Sequence, residues 1–422
     1  MTSPISIHIA ATLSNEQAAE RLWDAVVIGA GPAGALAAHQ LAKSGLEVLL
    51  VDKRSFPRDK VCGACFSPRV ASVLQLVGLG SFLADQGAVP LERLCLSNDA
   101  RRLEISLSGS WALSRNRFDA ALIRAAIDCG AAFLPAVSAT VLPASRHSIR
   151  DQQDVNLVQL GLRRLSHQPP TLPMSSDCCR WIVLDDSRGG ATTVAAKVVV
   201  AADGLGSQST AKTKEFTTDV RRNGRIGLGA TFDDCGDEFP LGSIHMHTTR
   251  SGYVGLVRME DRRLHIAAAV EPKFIREFDS PHQAIGSMLR EPAWWPKSIE
   301  MHHAWQGTPP LTRTVHCPAA RRILLIGDAA GYVEPFTGEG IAWALEGAVA
   351  VEPFVVRGVA RWDSDLEQEW LRHYLARIRA RQYWCRWFTD MLRHPMIART
   401  AMLAFTRLPG LTKVVARRIL GT

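Results

Sequence analysis

WDAVVIGAGPAGALAAHQLAKSGLEVLLVDKR, residues 23–54, decides the fold. It opens with a β-branched run, passes through a glycine turn into an alanine-rich helix that closes on Gly45, and ends in a second apolar strand at Asp52. Gly29-Ala30-Gly31-Pro32-Ala33-Gly34 fits G-x-G-x-x-G. In that motif the first glycine permits a tight turn, the second lets backbone approach a pyrophosphate, and the third lets helix pack on strand. Asp52 stands where an acidic side chain can accept hydrogen bonds from a ribose. The unit binds a dinucleotide, and by itself it does not separate NAD from FAD.

Outward from this unit, similar strands recur as KVVVAA (197–202) and RILLI (322–326), each followed by a Gly/Asp pair. Helical patterns follow at 117–129 and 340–351. Between them the texture alternates: IGLGATF (226–232), SIHMHT (243–248), YVGLVRM (253–259) and RLHIAAAV (263–270) predict an antiparallel sheet. Residues 142–180, with HQPPTLPMSSD, read as an irregular excursion.

VVVAADGLGS (198–207), RILLIGDAAGYVEPFTGEGIAWALEGA (322–348) and SRNRFD (114–119), added to the glycine turn, resemble four ordered motifs of one flavoprotein superfamily. It contains p-hydroxybenzoate hydroxylase-type monooxygenases, flavin halogenases and geranylgeranyl reductases. The resemblance covers most of residues 23–350 and implies FAD. It also implies an α/β fold: a discontinuous Rossmann-like FAD-binding domain (21–84, 111–215 and 315–355), a smaller antiparallel-sheet substrate domain (85–110 and 216–314) and a helical C-terminal extension (356–422). The cofactor contacts it implies are Gly29, Gly31, Ala33, Gly34, Asp52, Lys53, Arg54, Lys60, Arg115, Asp203, Gly204, Gly327, Asp328, Pro335, Gly338, Gly340 and Ile341. Residue chemistry agrees: Arg115 can neutralise a diphosphate in a forked geometry, and Asp328 suits ribityl hydroxyls. Backbone N–H groups at Gly338 and Gly340 open a helix and can face the flavin edge.

FPRDKVCGACFSP (56–68) resembles the F-P-R-x-K-x-C-G-x-x-x-S-P segment of the geranylgeranyl-reductase and halogenase-like branch, which places Cys62 beside flavin or substrate. Cys62 and Cys65 could otherwise be half a zinc site, a redox dithiol or packing thiols. A zinc site needs a second Cys/His pair at matching spacing, which the chain does not supply. Tyr253 stands in a strand resembling the branch's G-Y-x-W-x-F, with Gly255 at the tryptophan position, so the pocket is expected to be wider. Its phenol can orient or protonate a substrate, or simply pack. His245/His247 and His302-His303 are too few for a metal site.

Nine cysteines without regular spacing point to a reducing, cytoplasmic setting rather than a disulfide framework. The N-terminal stretch does not read as a signal peptide, and IAWALEGAVAVEPFVV (341–356) carries too many interruptions to span a bilayer. The net charge of +8 is concentrated at 357–422, with 13 Lys/Arg against 5 Asp/Glu. Arg372, Arg379, Arg386 and Arg393 recur every seven residues on a helical pattern whose apolar side runs from Trp370 to Leu392. Such a helix caps the substrate domain or lies peripherally on an anionic membrane surface. No nucleic-acid reader is present, so nucleic acid is not an expected partner.

The first functional expectation is a monooxygenase that uses NAD(P)H as a transient donor, and O₂, to hydroxylate a hydrophobic small molecule. The second is a geranylgeranyl-reductase-like enzyme that reduces C=C bonds of an isoprenoid, with Cys62 and Tyr253 as helpers. The third is an electron-transfer flavoprotein donating to quinone. A halogenase is disfavoured because AWWPKS (293–298) does not reproduce W-x-W-x-I-P.

Overall fold

The computed structural model describes residues 8–98, 101–144, 178–186, 189–233, 239–289, 305–334, 336 and 338–392. HQPPTLPMSSD, AWWPKS, His302-His303, Pro335 and Arg393 lie outside them.

The Leu22–Ile28 strand is apolar on both faces because it runs in the middle of a parallel array. Its neighbours are Val48–Val51 on one side and Ala191–Ala201 on the other, and Ile323–Leu325 adds beyond the latter. Ile28 pairs with both Val51 and Ala201, and Ala201 pairs with Leu325, so these strands end at one level. The glycine turn, the Asp-Gly turn and the Gly-Asp turn therefore leave the same edge of the sheet. Helix α1 (Pro32–Lys43) packs between α2 (Arg115–Asp128) and α3 (Gly340–Ala360), covering the sheet with alanine- and leucine-rich faces.

A second eight-stranded sheet runs Gln306–Pro310, Ile226–Phe232, Leu264–Val270, Gly252–Arg258, Ser243–Thr249, Val89–Asn98, Arg101–Ala112, Cys65–Phe66. The expected antiparallel pairing holds except between Ser243–Thr249 and Val89–Asn98, which are parallel. The reason is connectivity. The chain leaves this sheet after Ala112 and returns at Ile226, and so long a crossover leaves strand direction free of hairpin geometry.

Two expectations for the C-terminal region need correction. Helix α3 runs to Ala360, past residue 356 where the extension was expected to begin. The arginine stripe is also broken. Between α4 (Ser364–Tyr374) and α5 (Ala380–Leu392) lies a π-helical turn, Leu375–Arg379, whose wider ring shifts the register. Arg379 consequently turns inward to donate to Val315 O, while Arg372 and Arg386 are exposed. Trp370 and Tyr374 are fully buried, with Trp370 edge-on to Phe354 and Tyr374 Oη donating to Ala330 O at 3.0 Å. Leu375 and Trp387, expected on the apolar side, face solvent. Among the described residues the extension thus packs mainly on α3 and the Ala319–Ala320 strand, on the parallel-sheet side. Among the described residues no helix is long and apolar enough to cross a membrane.

Candidate active site

At the shared sheet edge, sterics explain the glycines. Gly29 has φ +101°, and a Cβ there would lie 2.4 Å from Ala202 O; a Cβ on Gly34 would lie 1.8 Å from Gly29 O. Gly31 differs. The nearest atoms to a Cβ on it are two guanidinium nitrogens, Arg58 Nη2 at 3.8 Å and Arg115 Nη2 at 4.0 Å. Gly31 caps α1, so the free N–H groups of the first helical turn and two arginines face one open space, an arrangement suited to a diphosphate. Asp203 Oδ1 and Arg58 Nε are buried and find no hydrogen-bond partner among the described residues. Such orphaned groups fit the hydroxyls and phosphates of FAD. The Asp52 carboxylate turns back on the glycine turn, accepting from Ala30 N at 2.7 Å and Arg54 N at 2.9 Å. Lys53 and Arg54 are exposed, with Lys53 Nζ 3.2 Å from Gln208 Oε1.

A charged cluster continues inward. Arg115 Nε and Nη2 form a forked pair with Asp119 at 2.9 and 2.8 Å, and Cys62 is near enough to act on the charge of the guanidinium. Burial disfavours the charge on Arg115, but Asp119 and Cys62 offset it and hold the pKa above the ordinary arginine range. Burial, then Arg115, pushes Lys60 down, with Asp328 working the other way. Burial pushes Asp328 up against the pull of Lys60, Arg115 and Arg313. The Lys60 ammonium lies 3.4 Å from where a Cβ on Gly204 would be, so the Asp-Gly turn and the FPRDK segment meet. Gly327 also abuts α1, since a Cβ there would lie 2.8 Å from Ala33 Cβ.

This cluster forms one end of a 310 Å³ cavity, where Lys60, Cys62, Arg115, Asp328, Gly338, Gly340 and Ile341 converge. The remaining wall is the second sheet. Alternate residues point in: Leu94 and Leu96, then Leu103, Ile105 and Leu107, then Ile244 and Met246. Floor space comes from Gly255, Ala267 and Ala269. A Cβ on Gly255 would meet nothing closer than Ala267 O at 3.7 Å, so the missing tryptophan does leave room. Segment 60–63 is laid on this sheet: Val61 Cγ1 lies 3.3 Å from where a Cβ on Gly229 would be, and His265 Nε2 lies 2.5 Å from Cys62 O.

Tyr253 lines the cavity edge-on to Phe336 at 4.9 Å, with the Arg225 guanidinium over its ring at 5.8 Å. Arg225 is itself buried and paired with Glu334 at 2.9 Å. Tyr332 lines the cavity beside it, and burial, then Asp328 and Tyr253, pushes its phenol well above the usual range. Burial, reinforced by Cys62, pushes the Cys65 thiol far up, so Cys65 stays protonated. His245 and His247 alternate with the cavity residues and so take the other sheet face. Burial, then Arg102, pushes His245 down to about 4. Among the described residues no group of three or more His, Cys, Asp or Glu could hold a metal.

Sequence reasoning missed Arg58, Asp119, Tyr332, Phe336 and the Arg225–Glu334 pair. Arg58 and Asp119 stand inside motifs already singled out, so those motifs carried a signal. Arg225 and Glu334 are 109 residues apart, and nothing local marks them as partners.

Residues 23–141 match the family model for an FAD binding domain. The chain is 28% identical over 369 residues to menaquinone reductase of Mycobacterium tuberculosis, covering 83% of this chain and 81% of that protein. It is 26% identical over 373 residues to digeranylgeranylglycerophospholipid reductase 1 of Methanopyrus kandleri, covering 81% of this chain and 86% of that one. Its fold is similar to that of the flavin-dependent brominase Bmp2, with a TM-score of 0.73 at 16% identity over 95% of this chain and 94% of the other. Residues 23–141 thus carry an FAD binding domain, and the chain shares the fold of a flavin-dependent enzyme over most of its length. Geranylgeranyl-reductase-like proteins are among its relatives, as its motifs implied.

Proposed function

We propose that the protein is an FAD-dependent reductase that saturates a C=C bond of a long apolar, isoprenoid-type molecule, with NAD(P)H as transient electron donor. The observation that carries this reading is the cavity itself. It is hydrocarbon over most of its surface, yet a thiol and two phenols stand at the end where the FAD-binding motifs converge. When bound, FAD supplies the hydride. The chain's own residues then have three tasks. Arg58, Arg115 and Lys60 hold an anionic cofactor by charge and forked hydrogen bonds. The aliphatic wall takes the substrate from water at no cost in buried polar groups. Cys62 donates the proton to the second carbon of the double bond, and the positive charge of nearby Arg115 stabilises the thiolate left behind. Tyr253 and Tyr332 border the same volume and orient the reacting bond.

The two relatives described, each matching over most of its length, are both reductases, which supports this reading over hydroxylation, the first expectation from the motifs. The test is turnover under strict anaerobiosis with NADH or NADPH and a geranylgeranyl lipid. The expected product has gained two hydrogens per reduced bond, at a rate equal to that in air. A product that forms only with O₂ and carries one of its oxygen atoms would sink the proposal and restore the hydroxylase.

A further inference from the structure

The segment running from the π-helical turn into α5 has two unlike sides. Its inner side, Ile378, Gln382 and Cys385, is buried. There Cys385 Sγ lies 3.6 Å from Glu334 O, and Arg381 pairs with Glu346 of α3. Its outer side carries Tyr383, Trp384 and Trp387 at 66%, 65% and 55% exposure, the two indoles edge-to-face 6.3 Å apart. Arg377 and Arg386 are exposed on the same segment. Scattered surface apolar residues are ordinary, but three large rings on one short helical face, two of them in contact, form a patch rather than scatter.

Three observations bear on what covers it. The first is ring chemistry: indole and phenol are amphipathic and settle where an apolar body meets a polar layer. The second is charge. Residues 377–422 contain ten Lys/Arg and a single acidic residue, Asp390, which complements an anionic surface. The third is position. The inner side of this helix rests on residue 334 and on α3, and Phe336, Gly338, Gly340 and Ile341 in the same stretch line the apolar cavity. A layer seated on the outer side is therefore separated from the cavity-lining stretch by this one helix.

We infer that the Tyr383–Trp384–Trp387 face docks on the surface of an anionic phospholipid bilayer, with the rings at headgroup depth and Arg377 and Arg386 on the phosphates. The inference goes beyond the proposed reaction and does not depend on it.

The experiment sediments the full FAD-loaded chain with vesicles of phosphatidylcholine alone or of equal parts phosphatidylcholine and phosphatidylglycerol. The expected result is pelleting with the anionic vesicles, weakened by salt, and little with phosphatidylcholine. Trp384→Ser/Trp387→Ser should lower the partition coefficient by about tenfold or more, and Arg377→Gln or Arg386→Gln by about fivefold each. Both sets should keep the parent's FAD content and melting temperature, which reports that the helix still folds. Pelleting of the double tryptophan variant equal to the parent overturns the inference. So does a parent that forms a dimer in solution through Trp384 and Trp387, since the patch would then belong to a second copy.

Discussion

The two walls of the cavity are built on different principles. The wall where the FAD-binding motifs converge consists of backbone turns and paired charges, drawn from four short stretches that each work as a unit. The opposite wall consists of hydrocarbon side chains, two or three from each of several strands. On the first wall the requirement is steric and local, because a Cβ at Gly29 or Gly34 has nowhere to go. On the second it is one of volume and polarity, which many combinations of aliphatic residues satisfy. One wall is therefore nearly unique in sequence and the other degenerate.

The largest expected effect breaks that comparison if it fails. Gly34→Val places side-chain atoms where a Cβ alone would already sit 1.8 Å from Gly29 O, so α1 must lift off its strand. The purified variant should be colourless and take up no added FAD, read by flavin absorbance. Leu96→Ile on the other wall should keep full FAD and cost under about 1.5 kcal/mol of stability. Equal losses in the two variants would show that the walls are not distinct in kind.

Next in size is Gly255→Trp. The Cβ itself fits, but an indole would take up much of the 310 Å³. Turnover of a long apolar substrate should fall by about a hundredfold or more, while FAD content and flavin reduction by NAD(P)H stay at the parent's level. Loss of FAD along with turnover would mean that the two walls are mechanically one.

This difference also explains what could be read from the sequence. Gly29, Gly31, Gly34, Asp203, Gly204 and Asp328 were legible because the turn each serves is contiguous, and a turn imposes its residue types on the spot. Alternation announced most of the second sheet for the same reason. It could not announce which face would line the cavity, nor that Ser243–Thr249 would lie parallel to Val89–Asn98, since both follow from the chain's return over a long crossover. Tyr332 was passed over because it follows the Gly-Asp turn as an unremarkable aromatic, and only the fold sets it beside Tyr253 and Asp328. The arginine stripe misled because a seven-residue repeat assumes an unbroken helix, and five residues of π-helix at Leu375–Arg379 undo it.

A third substitution sharpens the comparison where the walls meet. In Cys62→Ser the side chain near Arg115 is kept in shape but the donor becomes a much weaker acid. Turnover should fall by roughly tenfold to a hundredfold, with flavin reduction by NAD(P)H and FAD content unchanged. Tyr253→Phe should fall less and mainly through KM, because its ring still packs on Phe336. Full turnover in Cys62→Ser would assign the proton to another group, with Tyr253 and Tyr332 the nearest candidates.

The smallest expected effect concerns Glu339, which sits between two cavity glycines at the start of α3 and so belongs to neither wall. It is 3% exposed, its closest cation is Arg69 at 3.6 Å, and burial pushes it up to about 7. Because the folded carboxyl is raised above its unfolded value, the folded state binds more protons between roughly pH 4.5 and 7. The stability this contributes is present below pH 4.5 and is lost as pH rises through 7. The loss is about 3 kcal/mol at most, from the size of the shift. Glu339→Gln cannot ionise, so urea midpoints of the variant should hold level across that window while those of the parent decline. The two curves should meet on the acid side. A parent whose stability rises from pH 5 to pH 8, or a variant that declines in parallel with it, would mean that Glu339 is ionised in the fold and that Arg69 outweighs burial. Turnover at pH 6 should barely change in the variant, since Glu339 acts on how firmly the two walls are joined rather than on the reacting bond.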